Sequence, residues 1–187
     1  MVKSAHIDTF AKDNLPDNSS WPELILNHPT ATYPERLNAS YELLERTIEL
    51  VGPNKSAIIA ADGNFTYGEL LELVNKISNY LVAEGVAPGN RIAIRSPNNA
   101  MAVAIWLSIL RVGAIAVTTI PLQRAVELAK IVEIGQIQFA LVDHRFVEEW
   151  QAIPNYSGKT FIVGGESNFL GEEIGRASCR ERVCQYV

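Results

Sequence analysis

Residues Leu110–Pro121, LRVGAIAVTTIP, contain the change of pattern that decides the fold. The apolar helical pattern before them stops at Gly113, which is typical of a helix C-terminus, and a β-branched run then extends from Ala114 to Ile120. A continuous run of this kind is typical of a strand that is covered on both faces, as the strands of parallel sheets are. The stretch therefore predicts a helix followed at once by a buried strand.

Strand and helix patterns alternate on both sides of this stretch. Thr66 and Glu69 have the spacing of a capping box at the start of a helix, and Gly85 is placed to end it. Short strands that alternate with helices predict right-handed βαβ crossovers. The predicted fold class is therefore α/β: a doubly wound, largely parallel sheet with helices on both faces. The predicted strands are 56–60, 91–95, 114–120, 139–143 and 160–163, and further helices are predicted at 38–51, 99–112 and 125–134.

The chain divides into three segments by composition. Residues 1–40 are polar and punctuated by prolines, so we expect an irregular lead-in that packs on the body. Residues 41–174 contain the alternating pattern and form the predicted α/β subdomain. Residues 175–187 turn basic, hold both cysteines (Cys179 and Cys184) and resemble translated adaptor sequence, so they are excluded from fold reasoning. A disulfide or zinc site is not expected there, because the pair lacks partner ligands.

Composition excludes several classes of partner. The net charge of -5 and the pI near 5.3 argue against nucleic acid, which normally requires a clustered positive surface. The first ten residues lack a basic segment followed by an apolar run, so no signal peptide is expected and the cytoplasm is the predicted location. The most hydrophobic stretch, 100–117, contains Arg111 and Gly113 and divides into helix and strand, so no membrane span is predicted.

Two features suggest a binding site at first sight. Residues 157–160, SGKT, resemble the end of a phosphate-binding P-loop, but Ile153 stands where that motif needs glycine. Strand residues follow instead of a helix, so we predict a turn before a strand. The three histidines, His6, His28 and His144, lie far apart in polar surroundings, which favours surface or capping roles over a metal site.

Four segments, in order and at suitable intervals, resemble the first two conserved blocks of the AMP-forming acyl-CoA synthetases, a family that also includes luciferases and adenylation domains. These segments are FTYGEL (65–70), PGNRIAI (88–94), PNN (97–99) and LRVGAIAVTTIP (110–121). Within the family, the opening of the chain resembles the 2-aminobenzoate and benzoate CoA ligases. The segments that carry this second resemblance are HIDTFA (6–11), LP (15–16), WPEL (21–24) and YPERLN (33–38).

The resemblance extends over about residues 5–165 and implies a reaction. The family uses ATP and Mg²⁺ to convert a carboxylic acid, here a small aryl carboxylate, to an acyl-adenylate, and then transfers the acyl group to coenzyme A. Its phosphate loop, magnesium-binding acid and adenylation lysine lie downstream of the matched part, so no catalytic residue can be assigned. We therefore expect an N-terminal fragment that is inactive alone and binds these cofactors poorly.

The resemblance implies one candidate site. In some relatives the loop after the strand at 114–120 borders the coenzyme A channel, which implies contacts from Thr118, Thr119, Pro121 and Arg124, with Arg124 meeting a phosphate. A purely structural role at a buried strand end stays open as the alternative.

A different class of protein also stays open, a small stand-alone α/β module that binds a ligand or partner without catalysis. A ligase would continue, within a few tens of residues after Gly171, into a Ser/Thr/Gly-rich loop ending in Pro-Lys. A fragment of a ligase is expected to expose sheet edges and apolar surface.

Overall fold

The computed structural model describes residues 4–23, 25, 28, 33–34 and 36–166. Its strands are β1 (Ser56–Ala60), β2 (Gly63–Thr66), β3 (Arg91–Arg95), β4 (Ile115–Thr119), β5 (Phe139–Asp143) and β6 (Lys159–Val163). β1 and β2 form an antiparallel hairpin, and the other four strands form one parallel sheet in the order β4-β3-β5-β6. The predicted α/β class and its parallel sheet are confirmed.

Helices connect the strands. They are α1 (Phe10–Asp13), α2 (Ala39–Leu43), α3 (Glu45–Val51), α4 (Tyr67–Ala83), α5 (Ala100–Arg111), α6 (Ala125–Gly135) and α7 (Val147–Gln151), with 3-10 turns at Asn18–Ser20 and His144–Phe146. α4 begins at the predicted capping box, where the Thr66 hydroxyl accepts from the Glu69 amide at 3.3 Å and the Glu69 carboxylate accepts from the Thr66 amide at 2.8 Å. In the part of the chain that is described, no helix is long and apolar enough to cross a membrane.

Helices pack on both faces of the sheet, as predicted. On one face, α4 and α5 cover side chains of β3, β5 and β6. That core includes Val74, Ile77, Leu81, Ile105, Ile109, Ile92, Ile94, Leu141, Phe161 and Val163. On the other face, Leu128 of α6 and Trp150 of α7 cover Ala93, Ala140 and Val142. β3 is buried along its whole length because it lies inside the sheet and between these two layers.

The SGKT segment is a turn before a strand, as predicted. β6 begins at Lys159, whose amide donates to the Gln138 carbonyl at 2.9 Å, and no helix follows it within the described residues. The Lys159 ammonium pairs with the Glu84 carboxylate instead of facing a loop that could hold phosphate.

The predicted burial of β4 on both faces is confirmed only in part. Ala116 packs against the core on one face and Val117 against the core on the other, but both are only half-buried. Among the described residues β4 lies at the edge of the sheet, Thr118 is exposed, and Ile120 just beyond it is 62% exposed. A run of β-branched residues favours an extended backbone, but it does not determine burial. Burial depends on how many strands and helices pack beside the strand in the folded protein.

Two helix predictions need smaller corrections. The helix expected over 38–51 is interrupted at Leu44 (φ -109°, ψ -72°), because that side chain turns into the core and is only 1% exposed. Gly135 is the last residue of α6, and Gln136 takes the left-handed conformation (φ +44°). A Cβ at Gly135 would lie 2.9 Å from Ile137 Cδ1, the end of a flexible side chain.

The segment around Asp8 docks at the amino end of the sheet. The Asp8 amide donates to the Pro88 carbonyl at 3.0 Å, and the carboxylate accepts from Asn90 Nδ2 at 3.1 Å and pairs with Arg91 Nη1 at 2.6 Å. Burial alone would raise the pKa of this carboxyl, but hydrogen bonds from Arg91, the Phe10 amide and Asn90 hold that pKa below its ordinary value.

The division of the chain into three segments stays a prediction. Residues 175–187, with both cysteines, lie outside the described residues.

Candidate functional site

A groove of about 990 Å³ opens at the carboxyl ends of β3 and β4. Ile58 and Ala60 of the hairpin line one side, the loop after β4 lines the other, and Trp106 of α5 lies between them. In open α/β sheets, ligands bind outside the carboxyl ends of the strands, so this groove is the candidate site.

The groove has an uncharged lining. Its polar side chains are Ser96, Asn98, Asn99, Thr118 and Thr119, and the rest of its lining is apolar. Such a lining suits an uncharged ligand group, because a phosphate or carboxylate buried there would lack a cation to offset its loss of hydration.

The structure brings three of the four predicted site residues to this groove. Thr118, Thr119 and Pro121 all line it. Thr119 is buried and its hydroxyl donates to the Ile94 carbonyl at 3.1 Å, so it fixes the end of β4 to β3. Thr118 is exposed and free to face a ligand. Their contact with coenzyme A stays a prediction.

Arg124 does not line the groove. Its Nη1 donates to Glu149 Oε1 at 2.6 Å, and Glu149 Oε2 accepts from the Ala125 amide at 2.9 Å at the start of α6. This contact raises the pKa of the Arg124 guanidinium and lowers that of the Glu149 carboxyl. Glu149 therefore competes with any phosphate for Nη1 of Arg124, and the predicted phosphate contact stays a prediction.

The N-terminus of α5 beside the groove is also occupied by groups of the chain itself. The Asp62 carboxylate, in the β1–β2 turn, accepts from the Ala100 amide at 3.1–3.2 Å, and Asn99 Oδ1 accepts from the Ala102 amide at 2.8 Å. A helix N-terminus attracts anions through such amides. Here the chain's own side chains already satisfy them.

Arg95, at the carboxyl end of β3, holds the loop that borders the groove. The residue is buried, with 1% of its surface exposed. Its guanidinium donates to the carbonyls of Ile120, Pro121 and Gln123 at 2.9–3.0 Å and to that of Phe146 at 3.1 Å. Burial lowers its pKa, and the charge of Glu149 opposes that effect. The four bonds join the loop after β4 to the 3-10 turn after β5.

Arg95 also occupies the point where the strand order reverses. The chain runs from β3 outward to β4 and then returns to β5 on the other side of β3. Doubly wound proteins commonly bind ligands in the crevice at this point. Here the Arg95 guanidinium bonds to both flanking loops, to the carbonyl of Ile120 on one side and that of Phe146 on the other.

The described residues do not fit magnesium or a polyphosphate. They contain no group of three or more His, Cys, Asp or Glu side chains that could hold a metal ion. The groove has no charged lining, and the helix N-termini at α5 and α6 are occupied by Asp62 and Glu149.

Sequence reasoning missed the two arginines that bracket β3. Arg91 donates to the carbonyls of Gly89, Gly135 and Gln136 at 3.0–3.1 Å, much as Arg95 does at the other end. The available signal was RIAIR itself, in which a charged residue stands at each end of a strand expected inside the sheet. Arginine at such a position indicates a guanidinium that several backbone carbonyls satisfy.

Residues 45–174 match the model of a family described as AMP-binding enzyme. An acetyl-coenzyme A synthetase of Magnetococcus marinus is 38% identical over 118 residues, which are 59% of this chain and 18% of that protein. A 3-hydroxybenzoate–CoA ligase of Aromatoleum sp. (strain CIB) is 29% identical over 112 residues, which are 56% of this chain and 21% of that protein.

A crystal structure of the anthranilate CoA ligase AuaEII in complex with anthranoyl-AMP superposes with a TM-score of 0.72. The superposed region is 22% identical in sequence and covers 82% of this chain and 30% of the AuaEII chain. The two proteins therefore share a fold over this region. This chain spans about a fifth of the length of the two curated relatives. Since the family match covers most of the chain, including the hairpin and the whole parallel sheet, the chain belongs to the AMP-binding enzyme family.

Proposed function

We propose that this chain is the amino-terminal α/β part of an AMP-forming ligase that activates an aryl carboxylic acid and joins it to coenzyme A. The observation that carries the proposal is the match to AMP-binding enzymes over residues 45–174. In such a ligase the carboxylate attacks the α-phosphate of ATP, which gives an acyl-adenylate and pyrophosphate. The thiol of coenzyme A then attacks the acyl carbon and releases AMP.

An aryl acid of the benzoate or 2-aminobenzoate type is the proposed substrate. The opening segments 6–11 and 33–38 resemble that subgroup, and one of the curated relatives is a 3-hydroxybenzoate–CoA ligase. A short-chain acid is the second candidate. It is favoured by the higher identity to the acetyl-coenzyme A synthetase, 38% against 29% over matches of similar length.

The contribution proposed for this chain is positional. Arg95 and Thr119 hold the loop and strand end that border an uncharged groove, while the groups that bind phosphates and magnesium are assigned to the rest of a longer enzyme. The proposal accordingly gives the 187-residue chain no adenylation activity alone. The coenzyme A contacts of Thr118, Thr119, Pro121 and Arg124 and the cytoplasmic location stay predictions.

The test is AMP release by the longest protein that the reading frame containing this chain encodes. ATP, Mg²⁺ and coenzyme A are supplied with benzoate, 2-aminobenzoate, 3-hydroxybenzoate or acetate. We expect kcat/KM for an aryl acid to exceed that for acetate by roughly tenfold or more, the discrimination that pocket shape alone supplies. A preference for acetate would replace the aryl assignment with the short-chain one. If none of the four acids yields AMP, the proposed ligase function is wrong, and the stand-alone binding module becomes the better interpretation.

A further inference from the structure

Residues 4–13 form a segment that lies on the amino end of the sheet without being buried, and we refer to it as the strap. Every residue of the strap is half-buried or exposed, and Ile7 is 75% exposed. Residues 14–23, which follow it, are all exposed. A segment that buries so little apolar surface opens more easily than the core does, because burial of apolar surface is the main source of stability.

The backbone of the strap lies against the turn before β3. The Pro88 carbonyl accepts from the amides of Ile7 and Asp8, both at 3.0 Å. Gly89 has a φ of +88°, and a Cβ there would lie 2.1 Å from the Asp8 carbonyl oxygen and 3.1 Å from His6 Cβ. The strap therefore approaches this turn more closely than a side chain at position 89 would allow.

The side chains of the strap contact the sheet mainly through the Asp8 carboxylate. It accepts from Gln138 Nε2 at 2.7 Å and from Asn90 Nδ2 at 3.1 Å, and it pairs with Arg91 Nη1 at 2.6 Å. The Phe10 ring contacts the same Arg91 guanidinium, 4.5 Å from the ring centroid. Because these contacts share Asp8 and Arg91, loss of the carboxylate should weaken all of them together.

The strap forms one wall of a cavity of about 340 Å³ at the amino end of β4. His6 lines this cavity from the strap, Trp106 lines it from α5, and Ala114 lines it from the position before β4. The Gly89 amide donates to the Gly113 carbonyl at 2.8 Å, so the turn under the strap is joined to the residue next to Ala114. Ala114 is 5% exposed in this arrangement.

We propose that the strap opens as a unit while the sheet stays folded, and that its opening admits solvent and small molecules to the cavity at Ala114. The sheet stays folded because the two hydrophobic cores, as the described residues define them, contain no residue of the strap. The closed and open positions are then two states of one chain. Any change that weakens the contacts of Asp8 shifts the balance toward the open state.

Hydrogen exchange at pH 7, in the longest protein that the reading frame containing this chain encodes, tests the opening. In Asp8→Ala we expect the amides at positions 7 and 8 to lose protection by roughly tenfold or more, while β3 and β5 stay protected. Asp13→Ala is the matched control. It removes the same charge from the strap, but among the described residues the Asp13 side chain accepts from the Thr9 hydroxyl and not from the sheet, so protection should be unchanged.

Gly89→Ala opens the strap by a second route, because its Cβ displaces the Asp8 backbone and leaves the carboxylate in place. Gly85→Ala is the control for this variant, since Gly85 has a similar φ of +91° and nothing within 4 Å of the added Cβ. We expect positions 7 and 8 to lose protection in Gly89→Ala alone. The second route keeps the test decisive if Asp8→Ala does not fold.

A thiol placed beside the strap tests access to the cavity. Ala114→Cys is treated with a small maleimide, and labelling at position 114 is measured by mass spectrometry of peptides. Adding Asp8→Ala should speed this labelling by roughly tenfold or more. Ala140→Cys, at a core position of β5 that is 0% exposed, should react far more slowly than position 114 in the same Asp8→Ala background.

Three results would overturn the proposal. The first is unchanged protection at positions 7 and 8 in both Asp8→Ala and Gly89→Ala. The second is loss of that protection together with that of β3 and β5, or labelling at position 140 as fast as at position 114, since either would mean that opening requires unfolding of the sheet. The third is equal labelling at position 114 with and without Asp8→Ala, which would mean that the strap does not close the cavity.

Discussion

Replacing Asp8 by alanine should destabilise the fold, because its carboxylate joins the opening segment to the sheet. The carboxylate pairs with Arg91 Nη1 at 2.6 Å and accepts from Gln138 Nε2 at 2.7 Å and from Asn90 Nδ2 at 3.1 Å. The Arg91 guanidinium also stacks on the Phe10 ring, 4.5 Å from its centroid. Asp8→Ala removes the acceptor that joins this segment to β3 and to the residue before β5.

The size of the expected destabilisation follows from how deeply Asp8 and Arg91 are buried. Removing one member of a buried ion pair costs about 3–5 kcal/mol, because the other is left as an uncompensated buried charge. The Arg91 side chain is 5% exposed, but Asp8 is 22% exposed and Arg91 retains three carbonyl acceptors, so water and backbone recover part of the loss. We expect Asp8→Ala to lower the free energy of unfolding by about 2–3 kcal/mol. For a chain of this size, that loss lowers Tm by roughly 4–12 °C.

Urea unfolding at pH 7 measures this loss, with Asp13→Ala as the control. Asp13 carries the same charge in the same segment, but among the described residues its side chain accepts only from the exposed Thr9 hydroxyl, at 2.6 Å. Because the folded pKa of Asp8 lies below its ordinary value of 3.8, its contribution is fully present above that pH and is lost as pH falls through the folded pKa. An Asp8→Ala variant within about 0.5 kcal/mol of the unchanged protein at pH 7, or no less stable than Asp13→Ala, would refute the reasoning.

Two further changes test the backbone at the ends of β3. Gly89→Ala would place a Cβ 2.1 Å from the Asp8 carbonyl oxygen at φ +88°, whereas Gly85→Ala has a similar φ of +91° and nothing within 4 Å. In urea unfolding we expect Gly85→Ala to cost about 1 kcal/mol and Gly89→Ala clearly more, and equal losses would show that the close approach is not limiting. Arg95→Met should speed amide exchange at Ile120, Leu122 and Gln123, and Arg95→Lys should not restore protection, because one ammonium cannot reach four carbonyls. Unchanged exchange in Arg95→Met would mean that the loop does not depend on Arg95.

The candidate site could be located from the sequence but not described from it. The resemblance predicted that Thr118, Thr119 and Pro121 border a coenzyme A channel; all three line the groove, and their contact with coenzyme A stays a prediction. The partner of Arg124 was not predictable, because Glu149 lies 25 residues away on a helix whose docking depends on the complete sheet. The same holds for Arg95, whose four acceptors come from two separate loops.

The sequence by itself determined the local elements and the fold class. The signals that predicted them are local, because each depends only on residues close in sequence. They are the hydrophobic periodicity, the Thr66–Glu69 capping box, and the glycines and prolines that end the elements. Only the tertiary structure decided that β4 is an edge, that Leu44 interrupts a helix and that Asp62 and Glu149 occupy two helix N-termini. Those outcomes depend on the order in which strands pair and on which distant side chains then meet, and no short stretch of sequence encodes either.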